Sequence, residues 1–292
     1  MKIGMIGLGA MGLPIARRLL NAQFDLYAFD PVPKAIEEAK SSGAYICEGA
    51  AEVASHAKII LCSLPNADIV QSVLSEILDS SNINTEIIAD LSSIAPESTK
   101  KFADMAKKSG ISYMDCPVSG GVTGAQAGTL TIMAGGSKQN LEKLMPVLKA
   151  FGKNIHHIGD TGTGTAMKMI NNFILGCNMA TVAEALVLGE KLNLNLDTMH
   201  DVLSTSSGRS FIIENKIPNF IKKRVFTGGF TVNLEHKDLM LAMESAKKLS
   251  MPTPMGSMAV QIFEFARAKG YGQEDITSLV KIWEELMNIK VE

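Results

Sequence analysis

Apolar residues in the first half of the chain cluster into short, nearly continuous runs: Ile3–Ile6, Leu26–Phe29, Ile59–Ser63, Ile87–Asp90, Ser112–Asp115 and Thr131–Ala134. Short apolar runs of this length read as candidate strands. Between them, Pro33–Ser42, Ala67–Leu78 and Pro96–Ser109 repeat apolar positions every three or four residues, the period of a helix with one face inward. Alternation of the two patterns predicts an α/β fold with a mostly parallel, doubly wound sheet. Ligands of such sheets bind beyond the strand C-termini, so the loops there are the places to seek chemistry.

The pattern changes after Gly162. Thr163-Gly164-Thr165 opens a helical stretch that continues to about Leu192, on the order of 40 Å at 1.5 Å per residue. It is apolar nearly all round, which predicts a helix joining two domains and enclosed by both. Within its most apolar part, Met169 to Gly189, Asn171, Asn172, Asn178 and Glu184 are expensive in lipid, so a protein-buried helix is expected rather than a membrane span. Further helices are expected over Leu196–Ser204, Phe211–Lys222, Leu234–Leu249, Thr253–Lys269 and Ile276–Asn288. The expected organisation is a doubly wound domain over 1–162, a connecting helix over 163–193 and an all-helical domain over 194–292.

The loop after the first strand run reads Gly7-Leu8-Gly9-Ala10-Met11-Gly12 and leads into the helix-like Leu13–Leu20. Glycines at this spacing permit a sharp turn, close approach of a pyrophosphate and tight packing of helix on strand, while the helix N-terminus offers N–H groups to phosphate. The second strand ends on Asp30, 18 positions past the last glycine, where a carboxylate accepts hydrogen bonds from the adenosine ribose. Dinucleotide binding is therefore expected, with NAD favoured and NADP possible, because no arginine follows Asp30 in Asp30-Pro31-Val32-Pro33. Lys2 and the apolar start superficially suggest a targeting segment, but the stretch is short, broken by glycines and continuous with this fingerprint.

Composition narrows the function classes. The 28 basic and 30 acidic side chains of the 292 residues give a formal net charge of −2, no basis for a nucleic-acid partner. Cys47, Cys62, Cys116 and Cys177 are far apart in apolar surroundings, which suggests free thiols and a cytoplasmic protein. The five histidines form no H-x-x-x-H pair and no acidic cluster has calcium spacing, so no metal site is expected. The 17 methionines read as pliable core filler.

Three further segments carry candidate chemistry. Lys168 interrupts the apolar run of the long helix and shares a face with Asn172, four residues on. Such a lysine either extends its charge to a surface or sits desolvated in a cleft, where burial favours the neutral amine and suits it to moving protons. Asp115-Cys116-Pro117-Val118-Ser119-Gly120-Gly121 follows a strand run; its hydroxyl and glycine N–H groups suit a small anion such as a carboxylate, though an ordinary loop has the same composition. Leu234-Glu235-His236-Lys237-Asp238-Leu239 places a lysine near the start of a helix, where a surface charge is the plain alternative.

Taken together, G-L-G-A-M-G at 7–12, S-L-P-N at 63–66, D-C-P-V-S-G-G at 115–121, G-T-G-T-A-M-K-M-I-N-N at 162–172, S-S-G-R-S at 206–210 and K-D-L at 237–239 resemble the β-hydroxyacid dehydrogenase family from end to end. That resemblance implies a Rossmann domain, a long interdomain helix, an all-helical second domain and a dimer or tetramer. It implies Lys168 as catalytic residue with Asn172 as its partner. Ser119, Gly120 and Gly121 would hold the substrate carboxylate, with Lys237 beside the nicotinamide. Leu64, Pro65 and Ser93 would line the cofactor together with the glycine turn; at position 93 close relatives often carry threonine, which keeps the hydroxyl. The partner implied is a small carboxylate-bearing hydroxy acid or semialdehyde, most readily of the 3-hydroxyisobutyrate type, with tartronate or succinic semialdehyde as alternatives. A 6-phosphogluconate dehydrogenase would carry histidine where Asn171 stands and would be much longer. A cofactor-binding scaffold without catalysis would have lost Lys168, Ser119 or Lys237.

Overall fold

The computed structural model describes residues 1–292. Its strands are β1 (Lys2–Ile6), β2 (Asp25–Phe29), β3 (Tyr45–Ile46), β4 (Ile59–Cys62), β5 (Ile87–Asp90), β6 (Ser112–Asp115), β7 (Val118–Ser119), β8 (Leu130–Gly135) and β9 (Gly152–Gly159). They form one sheet in the order β3-β2-β1-β4-β5-β6-β8-β7, with β9 paired to β8. The pairings from β3 through β6 are parallel; β8 runs antiparallel to β6 and β7 and parallel to β9. The strand order reverses between β1 and β4, the switch point at which doubly wound sheets bind their ligands.

Alternate side chains explain the near-continuous apolar runs. Ile3, Met5, Leu61, Ala89 and Met114 enter one core, and Ile6, Ile60, Cys62, Ile88 and Tyr113 enter another. Both faces of these strands are covered, so both sets of positions must be apolar. Strands β3, β7 and β9 were not expected from the sequence. β3 and β7 have only two residues each, and β9 is mostly exposed polar surface held by its ladder to β8.

The chain divides into two units, Met1–Lys168 and Met169–Glu292, and the division falls inside the long helix Thr163–Lys191. The second unit is helical, as expected, with a core that includes Met179, Leu186, Ile217, Leu239, Phe263 and Leu279. Residues Ile212–Ile221 form a π-helix rather than the α-helix expected there, with Lys222 N–H donating to the Ile217 carbonyl at 2.9 Å. Pro218 lies inside it, and in an α ladder its ring would clash with the carbonyl four residues back, a clash that the wider spacing relieves. The long helix departs from expectation in one respect. Half of its most apolar window is buried, while Ile170, Ile174 and Leu188 remain exposed.

All four cysteines are free, three of them buried. Burial pushes the Cys62 and Cys116 thiols far above their usual range, and the neighbouring carboxylates of Asp90 and Asp115 add to the effect. Burial raises Cys47 to about 11, and Cys177 is also raised, first by burial and then by Glu235. Thiolate is the reactive form, so the native protein is expected to resist iodoacetamide at pH 8 and to label fully only after denaturation. Intact mass spectrometry reads this directly; rapid native labelling of Cys62 or Cys116 would contradict it.

Candidate active site

The glycine turn directly follows β1 and opens the helix Gly12–Asn21. Gly7 has φ +91°, and a Cβ there would collide with the Ser63 carbonyl oxygen; a Cβ on Gly12 would collide with the Gly7 carbonyl. Gly9 has nothing within 4 Å of the Cβ position, so its vacancy of side chain serves no packing need of the chain itself. The helix has no side-chain cap at Met11 and no acid in its first turn, which leaves its positive end to a ligand. An open glycine and an uncapped helix start fit the pyrophosphate of a dinucleotide.

Asp30 lies at the end of β2 and is 7 % exposed. Its two oxygens accept the N–H groups of Leu8 at 2.7 Å and Val32 at 2.8 Å, tying the glycine turn to the β2 end. The turn after β4 is fixed differently. Leu64 N–H donates to Ser92 Oγ at 2.9 Å, Ser92 N–H donates to Asp90 Oδ1 at 3.0 Å, and Tyr113 donates to Asp90 Oδ2 at 2.6 Å. Burial raises the Asp90 carboxyl, opposed by the hydrogen bonds from Ser92 and Tyr113. Pro65 is exposed, Ser93 is half-buried, and Asn66 caps the next helix by accepting the Ile69 N–H at 3.0 Å. The serine that grips the Leu64 turn is thus Ser92, next to the residue singled out from sequence.

Ser119 closes the short strand β7, where it pairs with Thr131 of β8, so the anion-binding candidate is an ordered strand end rather than a loose loop. Gly120 and Gly121 follow with φ of +131° and +63°, conformations that L side chains rarely adopt. Lys168 is half-buried on the long helix, one turn before Asn172. In the second unit, Asn172 Nδ2 donates to Asp238 Oδ2 at 2.5 Å and Asn171 Nδ2 donates to Asn172 Oδ1 at 2.9 Å. Lys237 Nζ lies 2.9 Å from Asp238 Oδ1. An ionised carboxylate only accepts, so Asp238 dictates which way the Asn172 amide faces. Asp238 is a residue that sequence reasoning missed, although it stands beside Lys237 in K-D-L. Asn172 and Lys237 are drawn together through it.

A doubly wound sheet with this glycine turn, followed by a helical unit carrying an amine, an amide and a carboxylate, defines a nicotinamide-dependent oxidoreductase. Residues 2–159 match the family model for the NAD binding domain of 6-phosphogluconate dehydrogenase, and residues 162–283 match that for NAD-binding of NADP-dependent 3-hydroxyisobutyrate dehydrogenase. The chain is 48% identical to 2-(hydroxymethyl)glutarate dehydrogenase of Eubacterium barkeri, over 99% of this chain and 97% of that one. It is 39% identical to a probable mitochondrial 3-hydroxyisobutyrate dehydrogenase of Dictyostelium discoideum, over 94% and 88%. Among solved structures, a 3-hydroxyisobutyrate dehydrogenase of Mycobacterium tuberculosis with L-serine superposes with a TM-score of 0.89 at 30% identity, covering 96% of this chain and 98% of that one. The chain belongs to the β-hydroxyacid dehydrogenase family. It is an NAD(P)-dependent oxidoreductase acting on a small hydroxy acid or semialdehyde.

Proposed function

We propose that the enzyme interconverts a 3-hydroxyisobutyrate-type acid, with a hydroxymethyl group on the carbon that bears the carboxylate, and its semialdehyde. Bound nicotinamide supplies hydride acceptance and return. Lys168 takes the proton of the β-hydroxyl during oxidation and gives it back during reduction. Asn172, with one N–H on Asp238, turns its other N–H to the substrate oxygen and holds the alcohol in place. Ser119 and the N–H groups of Gly120 and Gly121 take the carboxylate, and Lys237 supplies positive charge for the anionic substrate. The observation that carries this reading is the fixed Asn171–Asn172–Asp238–Lys237 array, one helical turn beyond Lys168.

The names of the relatives share a hydroxymethyl or hydroxy group β to a carboxylate, which supports the substrate class. The 48% identity to the Eubacterium barkeri enzyme favours a second reading, in which the same carbon carries a longer, second carboxylate arm. Initial rates with 3-hydroxyisobutyrate, 2-(hydroxymethyl)glutarate, L-serine and the tartronate and succinic semialdehydes separate the two. A single methylene changes kcat/KM by about 10–200-fold, so the preferred acid is expected to stand out by at least tenfold. Silence across the panel despite tight NADH binding would favour a non-catalytic scaffold. NAD is proposed as the preferred cofactor, because a 2′-phosphate would meet the Asp30 carboxylate; equal kcat/KM with NADP would contradict this.

Self-association belongs to the same proposal. A helix apolar all round leaves Ile170, Ile174 and Leu188 exposed, and Met255, Met258 and Phe265 form an outward apolar stripe on the helix Pro254–Ala268. A second copy of the chain is the proposed occupant, and light scattering that returns a 31.3 kDa monomer would remove it. The free, mostly buried thiols support a proposed cytoplasmic setting.

A further inference from the structure

Asp115 has no place in the proposed chemistry, yet it is 0% exposed and accepts hydrogen bonds from two backbone N–H groups. It ends β6, pairs with Gly135 of β8, and begins the segment that leads four residues later to Ser119. Its carboxylate reaches back to the start of the long helix. Gly162 N–H donates to Oδ1 at 2.8 Å, Thr165 N–H donates to Oδ2 at 2.7 Å, and the Thr165 hydroxyl lies 3.3 Å from Oδ2. The same hydroxyl donates to the Gly162 carbonyl at 3.0 Å and lies 3.3 Å from the buried Thr99 hydroxyl.

The first turn of the long helix contains no acid of its own, so its positive end is met by a carboxylate from a distant strand. Two glycines clear the way for that approach. A Cβ on Gly135 would lie 2.6 Å from Asp115 Oδ1, and one on Gly164 would lie 2.9 Å from Oδ2. Lys168 follows Thr165 by three residues, about 4.5 Å along the axis.

We propose that Asp115 is the positioning residue for Lys168: one buried carboxylate fixes the helix turn that carries the amine to the strand that leads into the Ser119 turn. The inference rests on the reading of Lys168 as the proton carrier. It assigns Asp115 no contact with substrate or cofactor. Its effect is to hold two loops of the site at a set spacing, which matters because a displacement near 1 Å at a reacting group costs about 100-fold in rate.

The test compares Asp115→Asn, Thr165→Ala and Lys168→Ala by single-turnover NADH formation, substrate KM, NADH dissociation constant and thermal unfolding. Asp115→Asn puts an amide N–H against backbone donors and is expected to slow hydride transfer about 30–100-fold. Thr165→Ala keeps the carboxylate and loses only the hydroxyl contacts, for a loss of about 3–10-fold. In both, NADH affinity is expected to stay within about twofold and the loss to fall mainly on the rate of hydride transfer rather than on KM, the sign of a defect in the reacting geometry. If both variants transfer hydride at the wild-type rate while Lys168→Ala is inactive, the inference is overturned even if Asp115→Asn melts earlier. If Lys168→Ala itself remains active, the proton-carrier reading falls and takes this inference with it. Parallel losses in rate, KM and NADH affinity would mark a general structural role and also overturn it.

Discussion

Lys168→Ala is expected to lose turnover by about 10²–10⁴-fold, the range that general acid–base groups contribute, while NADH binds as in the wild type. The separation follows from where the groups sit. Two of the proposed cofactor contacts, the turn at Gly7–Gly12 and Asp30, are locked together by the Leu8–Asp30 hydrogen bond. Lys168 belongs to a different element, the long helix, and contributes nothing to that lock. Alanine is a strong helix former, so the helix itself should persist. Lys168→Arg is a sharper form of the same experiment, since arginine keeps the charge and cannot give up its proton at working pH. It is expected to be nearly as inactive as alanine. Steady-state rates with the preferred acid, beside NADH fluorescence titrations, read both quantities. A Lys168→Arg enzyme with near-normal kcat would assign the lysine to charge alone and remove it from proton transfer.

Gly9→Val and Gly12→Val are expected to fail in opposite ways. At Gly12 the added side chain meets the Gly7 carbonyl and, at 3.0 Å, the Met5 side chain. Backbone cannot yield as a flexible side chain does, so the chain should lose about 1–3 kcal/mol or more of stability, and the variant should melt early. At Gly9 the space is open, and the folded chain should accept valine with little change in melting temperature. That opening is where a pyrophosphate would approach the backbone, so NADH affinity is expected to fall at least about tenfold. Thermal unfolding with and without NADH distinguishes the pair: Gly12→Val loses its baseline stability, Gly9→Val loses the ligand-induced rise. Normal NADH binding by Gly9→Val would move the cofactor away from this turn.

The amino-acid pattern alone was enough for the doubly wound half, the long helix, the helical second half and the dinucleotide turn. Each of these is written in neighbouring residues. A strand covered on both faces needs consecutive apolar side chains, as Ile59–Cys62 shows, and a phosphate-binding turn needs its glycines within one loop. Motifs also mark Lys168, Asn172, Ser119 and Lys237 as candidates in the sequence itself.

What the pattern could not supply is the partner of each polar group across long stretches of chain. Asp115 meets Gly162 and Thr165 over separations of 47 and 50 residues, and Asn172 meets Asp238 over 66. A lone aspartate at a strand end carries no local mark of the donors it will accept, because those donors are brought to it only when sheet and helix pack. The same holds for β9, whose exposed Gly-Lys-Asn-Ile-His-His-Ile-Gly becomes a strand through its ladder to β8. For the π-helix, Pro218 stands in the sequence, but the burial of Ile212, Ile213, Ile217 and Ile221 is seen only in the packed core. Short-range periodicity therefore determined the elements and the residue types of this enzyme. The tertiary structure decided which buried carboxylates hold them in place, since a buried charge is tolerated only where distant donors converge on it.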